Sequence, residues 1–409
     1  MTLGETMLTI GREARVGAEA LRQASAEQRT DAIRAMAVRL REQAGAVLEA
    51  NAAELAAANR HHDRLMLNPD RVEAIAAGLE AVAGLPDPVG TEITRWQRPN
   101  GLDIARVRTP IGVIGMIYEA RPNVTADAAA ICVRSGNAVI LRPGSDCLAS
   151  SRAIHAALAQ GLEDAGLPAG AVQMVPTSDR AAVGALLGGL GGTIDLLIPR
   201  GGRSLVERVQ AEARVPVLGH LEGICHTYVH EAADVAMAAA IVHNAKLRRV
   251  SVCGSTETLL IDRAALHMLP TIAEALAGCE LRGDAEAAAL VPMLPAHAED
   301  WDTEYLAPIL SIRTVSDWKE AAAHIARHGT GHTEAIITEN ASVAESFFAA
   351  VDSAIVLWNA STQFADGGDF GFGAEIGIAT GKLHARGPVG PEQLTSFKYV
   401  VRGAGQVRP

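Results

Sequence analysis

The chain has 409 residues, 49% of them hydrophobic and 20% charged, with a formal net charge of −11. That length exceeds one ordinary hydrophobic core, so two or three domains are expected, and the composition excludes a disordered chain. The acidic balance argues against a nucleic-acid partner, because binding phosphates along a strand needs a basic footprint.

Residues 11–84 carry apolar side chains at helical spacing, with Ile33, Met36, Ala37 and Leu40 on one face. Ser25 and Gln28 have the spacing of a capping box, in which hydroxyl and amide satisfy free backbone N–H groups reciprocally. Pro86 and Pro88 close this helical region. The segment 92–109 alternates apolar and polar residues around Asn100-Gly101, a pair that favours a two-residue type I′ turn, so a β-hairpin is predicted. From Pro110 onward strands are predicted at 111–117, 138–141, 172–175, 195–198 and 227–230, with alanine-rich helical stretches between several of them. That alternation gives a parallel sheet covered by helices. A second α/β region follows Cys253, with a helix at 318–328 and strands at 334–338 and 354–359; one more strand is predicted at 394–401.

Strand 138–141 runs into Arg142-Pro-Gly-Ser145-Asp146. A cation and a hydroxyl beside a glycine suit a ribose or its 2′-phosphate, although Asp146 would repel a phosphate and a plain surface turn fits the same residues. Strand 195–198 runs into Gly201-Gly202 and a helix start, where free N–H groups and the helix dipole favour an anion such as a cofactor diphosphate. An ordinary βα turn has the same appearance. The glycine cluster 188–192 precedes a strand instead of following one, so it lacks the context of a dinucleotide fingerprint.

The five cysteines show no Cys-x-x-Cys spacing, which fits a reducing compartment and neither a disulfide framework nor a zinc ribbon. Cys253 is the one placed for chemistry. Lys246, Arg248 and Arg249 lie just upstream, and positive charge favours the nucleophilic thiolate. Gly254 and Ser255 leave room for a carbonyl, while a buried apolar cysteine remains the bland alternative. His226 and His230 sit four apart in a predicted strand, about 13 Å, too far to share one zinc. His324 and His328 share a helix face ahead of His332 without an evident third ligand, so no metal is expected. Residues 359–388 form a glycine-rich stretch that includes Ser361 and Thr362, and irregular segments of that length inside compact domains are usually functional. The start Met1-Thr-Leu-Gly-Glu-Thr lacks the features of a signal peptide, and no apolar run approaches about 18 residues, so a cytoplasmic protein away from membranes is expected.

Five segments together carry a resemblance: 110–125, 198–202, the stretch around Cys253, 315–336 with its His328-Gly-Thr-Gly-His332, and the glycine-rich stretch ending His384-Ala-Arg-Gly-Pro388. In these the chain resembles the γ-glutamyl phosphate reductases, a family of the aldehyde dehydrogenase superfamily. The resemblance implies an α/β fold with three parts. A Rossmann-type cofactor domain would cover 1–94 and 110–228, a catalytic α/β domain 229–381, and a small β oligomerisation flap 95–109 and 382–409. The implied reaction reduces L-glutamyl 5-phosphate with NADP(H) to L-glutamate 5-semialdehyde and phosphate through a cysteine thioester, in proline biosynthesis.

By the same likeness Cys253 is the nucleophile and Asn123 an oxyanion-hole amide. Gly201 and Gly202 lie along the cofactor diphosphate, Arg142 with Ser145 near its ribose, and Glu304 at the nicotinamide ribose. Arg121, Lys246, Arg249, Ser361 and Thr362 are the expected holders of substrate and phosphate. His220-Leu-Glu-Gly223 stands where oxidising relatives carry Glu-Leu-Gly-Gly, whose Glu activates the hydrolytic water; His220 thus takes the base position. Gly254, Val250 and Gln363 depart from the Asn, Pro and Arg of the pattern. A small-molecule substrate, a homo-oligomer and channelling with glutamate 5-kinase are implied as partners. An aldehyde oxidiser that hydrolyses its thioester, and a non-catalytic binding subunit, are the other readings.

Overall fold

The computed structural model describes residues 2–58, 62–372 and 374–408. The chain forms two compact units, Met1–Gly219 with Gly371–Gly377 and Val389–Pro409, and His220–Phe370 with Ile378–Pro388. No helix among the described residues is long and apolar enough to cross a membrane.

The first unit opens with helices Leu3–Gln23, Ala26–Glu42, Ala44–Ala57 and Pro69–Gly84. Their starts follow from local chemistry. Thr2 and Glu5 form a complete capping box, and Asn68 caps the helix that begins at Pro69. The box expected at Ser25 is only half built: its hydroxyl accepts from the Gln28 N–H at 3.0 Å, but the Gln28 amide donates to the Ala165 carbonyl instead. Strands β1 (Glu92–Gln97) and β2 (Asp103–Pro110) make the predicted hairpin. Their connection is five residues long, with Arg98 N–H donating to the Leu102 carbonyl and Gly101 at φ +83°. The two-residue turn is therefore corrected. The tail strand Thr395–Arg402 pairs antiparallel with β2 along its whole length, completing a three-stranded sheet with β2 in the centre.

A parallel sheet of β3 (Val113–Tyr118), β4 (Ala138–Pro143), β5 (Val172–Met174) and β6 (Leu196–Arg200), in the order β5-β4-β3-β6, forms the heart of this unit. β3 and β4 are buried at every residue, as strands covered on both faces must be.

The second unit is a seven-stranded parallel sheet. Its strands are β7 (Cys225–Val229), β8 (Thr256–Asp262), β9 (Glu280–Gly283), β10 (Leu294–Pro295), β11 (Ile309–Val315), β12 (Thr333–Ile337) and β13 (Ile355–Trp358), ordered β10-β9-β11-β8-β7-β12-β13. The strand predicted at 227–230 thus belongs to this sheet, between β8 and β12, and not to the first. Helix Trp318–His328 begins at Asp317, whose carboxylate accepts from two first-turn N–H groups. Topology places β7 and β8 side by side at the centre, and the chemistry gathers at the segments leading into them.

Candidate active site

Cys253 lies in the turn that enters β8, half-buried. Neighbouring backbone holds this turn closely. A Cβ at Gly223 would sit 2.0 Å from the Cys253 carbonyl oxygen, so only glycine lets the segment before β7 pass. The Gly223 N–H donates to the Glu304 carboxylate at 3.0 Å. The buried Cys225 thiol donates to the Cys253 carbonyl at 3.1 Å, and burial pushes that thiol well above its ordinary pKa. Cys225 therefore stays protonated and serves as a backbone clamp.

Two histidines face the Cys253 sulfur. Donor atoms of His220, Cys253 and His332 all lie within 4.8 Å of one another, and the two imidazoles meet edge to face at 4.9 Å. His220 Nδ1 is 2.7 Å from the Ile378 carbonyl, which can only accept, so Nδ1 carries the proton and Nε2 the lone pair. His332 is fully buried; its Nδ1 meets Thr333 Oγ1 at 2.9 Å. Burial pushes the Cys253 thiol up, but the neighbouring imidazoles of His332 and His220 outweigh it and hold the thiol well below its ordinary range. The thiolate is thus favoured, as expected, but by imidazoles and not by the upstream cations.

Lys246 requires the clearest correction. It is fully buried and paired with Glu257 of β8, so it is spent inside the fold and cannot hold a substrate phosphate. Burial, partly offset by Lys246, raises Glu257 to about 7. Thr362 is also enclosed, its hydroxyl 3.0 Å from that of Thr256. The Ser361 hydroxyl accepts from the Gln363 N–H at 3.2 Å, and Gln363 ties this short helical turn to the carbonyls of Ala245 and Arg249. Arg249 itself is exposed. The half-buried Glu304 is raised by burial and by the nearby Cys253, against the Gly223 N–H.

In the first unit Asn123 immediately precedes helix Val124–Arg134, and its amide donates to Asp127 at 2.9 Å. Burial raises Asp127 to about 6. Arg121 lies two residues earlier and is half-buried. Arg142 closes β4; one guanidinium N–H donates to the Ser178 carbonyl at 3.0 Å while its buried Nε has no hydrogen-bond partner among the described residues. Ser145 is exposed beside it, and Asp146 is drawn aside onto the Ala120 N–H at 3.3 Å. Gly201 and Gly202 are exposed between β6 and helix Arg203–Glu212. The anion site expected there is already capped: the Glu119 carboxylate accepts from the Gly202 N–H at 3.2 Å.

His332 is the residue that sequence reasoning missed, since it stood out only as part of a recurring motif. The His324–His328 pair is close, at 4.5 Å between rings, but joins no three-donor group among the described residues.

The aldehyde dehydrogenase family pattern matches residues 5–294. The chain is 68% identical to the γ-glutamyl phosphate reductase of Caulobacter vibrioides, over 98% of this chain and all of that one. It is 59% identical to the γ-glutamyl phosphate reductase of Rhodospirillum rubrum, over 98% of this chain and 96% of the relative. The crystal structure of the γ-glutamyl phosphate reductase of Thermotoga maritima superposes with a TM-score of 0.96, at 42% identity, over 98% of this chain and 100% of that one.

Proposed function

We propose that this chain, which belongs to the aldehyde dehydrogenase family and within it to the γ-glutamyl phosphate reductases, reduces L-glutamyl 5-phosphate to L-glutamate 5-semialdehyde and phosphate in proline biosynthesis. The observation that carries this reading is the thiolate-favouring cluster of His220, Cys253 and His332. The Cys253 thiolate attacks the acyl carbon, the bridging anhydride oxygen leaves with its electron pair as phosphate, and a thioester remains. A bound nicotinamide cofactor supplies hydride to that thioester carbon. The resulting thiohemiacetal then collapses, its oxygen re-forming the carbonyl as the sulfur leaves as thiolate.

The chain's own groups do the rest. His220 Nε2 takes the thiol proton and keeps the sulfur charged. Asn123 retains a second amide N–H beyond the one given to Asp127, and donates it to the oxyanion. Exposed Arg249 and half-buried Arg121 are the cations proposed to meet the leaving phosphate. Where hydrolytic relatives place a glutamate to activate water, this chain has His220, oriented by the Ile378 carbonyl.

NADP(H) is the proposed cofactor. Arg142, with its unpartnered buried Nε, and Ser145 fit an anionic 2′-phosphate. The Gly202 corner fits a diphosphate only if Glu119 gives way. The three-stranded sheet leaves β1 and the tail strand as edges, with Phe397, Tyr399 and Val401 exposed, and pairing with a second copy would cover them. Cytoplasmic location and channelling with glutamate 5-kinase are proposed together with this biosynthetic role.

The test is the reverse reaction. Purified protein with glutamate semialdehyde and NADP should produce NADPH only when inorganic phosphate or arsenate is present. Turnover to free glutamate without phosphate would indicate a hydrolytic aldehyde dehydrogenase, and no turnover in either buffer a binding subunit.

A further inference from the structure

Two imidazoles and a thiolate are a ligand set as well as a catalytic set. The donor atoms of His220, Cys253 and His332 lie within 4.8 Å of one another, and this is the only such three-donor group among the described residues. Tetrahedral zinc, with bonds of about 2.0–2.3 Å to nitrogen and sulfur, needs its donors roughly 3.3–3.8 Å apart, so binding draws the three together. His332 is fully buried, and its Nε2 has no hydrogen-bond partner among the described residues. Each imidazole is oriented from behind, His220 by the Ile378 carbonyl at 2.7 Å and His332 by Thr333 Oγ1 at 2.9 Å. Outer contacts of that kind are what hold metal-ligating histidines in place.

We propose that the catalytic centre is also a reversible site for Zn²⁺ or a similar borderline-soft divalent cation, bound by His220, Cys253 and His332 with one position left to water. Bound metal takes the sulfur lone pair that attacks the acyl carbon, so it inhibits in competition with the acyl phosphate. Thiolate and imidazole donors select such ions over Mg²⁺ and Ca²⁺, which prefer oxygen. Only the inhibition rests on the function proposed above; the binding does not.

Co²⁺ titrated into the metal-free full-length protein tests it, with absorbance as the readout. One equivalent is expected to bind with a thiolate-to-cobalt charge-transfer band, to be displaced by Zn²⁺, and to be unaffected by excess Mg²⁺. Cys253→Ser should remove the band, and His332→Ala and His220→Ala should each weaken binding at least about tenfold. A second measurement needs no variant: stoichiometric Zn²⁺ should protect Cys253 of the wild-type protein from iodoacetamide, and a chelator should restore its alkylation. Absence of the band, its persistence in Cys253→Ser, or unprotected alkylation would each overturn the site. A protein that shows the band but does not reduce glutamyl phosphate would keep the site and refute the function.

Discussion

His220 donates its Nδ1–H to the carbonyl of Ile378 at 2.7 Å, and this single bond decides which nitrogen meets Cys253. A carbonyl cannot donate, so the tautomer is fixed and Nε2 is left to accept the thiol proton. The proposed nucleophile thus has beside it a proton acceptor that is itself oriented by backbone.

Cys253 should alkylate as a thiolate at a pH well below the ordinary thiol range of about 8.5. The folded pKa is lowered, so the reactive form appears as pH rises through that lowered value. With chelator present, the iodoacetamide rate against pH should show this early rise, and His220→Ala should move it upward. An unshifted profile in the variant would remove His220 from the role of base.

Gly223→Ala places a methyl group 2.0 Å from the Cys253 carbonyl oxygen and 2.8 Å from its Cα, both backbone atoms. Turnover should fall at least about 100-fold, because displacing reacting atoms by about 1 Å costs that much. Gly254→Ala, 3.0 Å from the Thr362 carbonyl, should be milder. Steady-state kinetics on the two variants tests the order.

Lys246→Met leaves Glu257 buried without its cation, and breaking such a pair typically costs about 3–5 kcal/mol. The loss should be larger at pH 8 than at pH 5. Glu257 is raised to about 7 in the fold, above its unfolded value, so its contribution is fully present below the unfolded pKa and is lost as pH rises through the folded one. Removing Lys246 raises that pKa further and steepens the decline. Urea denaturation at the two pH values provides the comparison, and Glu257→Gln with Lys246→Met should flatten it.

Asn123→Ala should lower kcat about 100–1000-fold while leaving the NADPH dissociation constant within about twofold, as loss of one oxyanion donor does. Cofactor binding by fluorescence beside kinetics separates the two. An effect confined to cofactor affinity would assign Asn123 to the cofactor and not to the chemistry.

Much of this architecture was legible in the chain. Helix Trp318–His328 has the bounds that the sequence predicts, and the Asp317 carboxylate caps its start. Cys253 was legible through its small neighbours. Its activation was not, because His220 and His332 come from distant segments that only the order of β7, β8 and β12 brings together. Lys246 misled for a local reason: it follows buried Val242 by four residues and so shares the inward face of its helix. Its partner Glu257 lies on a strand whose residues are all buried, where charge is not expected from pattern alone. The chain also could not reveal that Glu119 occupies the corner beside Gly202, since that contact joins two loops across the sheet edge.

The thiolate exists only where three remote stretches of polypeptide have converged, and that has a consequence for the life of the molecule. While the chain is being synthesised, Cys253 is an ordinary thiol, no more prone to oxidants or electrophiles than Cys132 or Cys279. Its lowered pKa requires the segment before β7 packed against it at Gly223 and His332 beside the start of β12. A chain that misfolds in this region therefore keeps a thiol of ordinary reactivity, and the lowered pKa marks a sheet that has been correctly assembled.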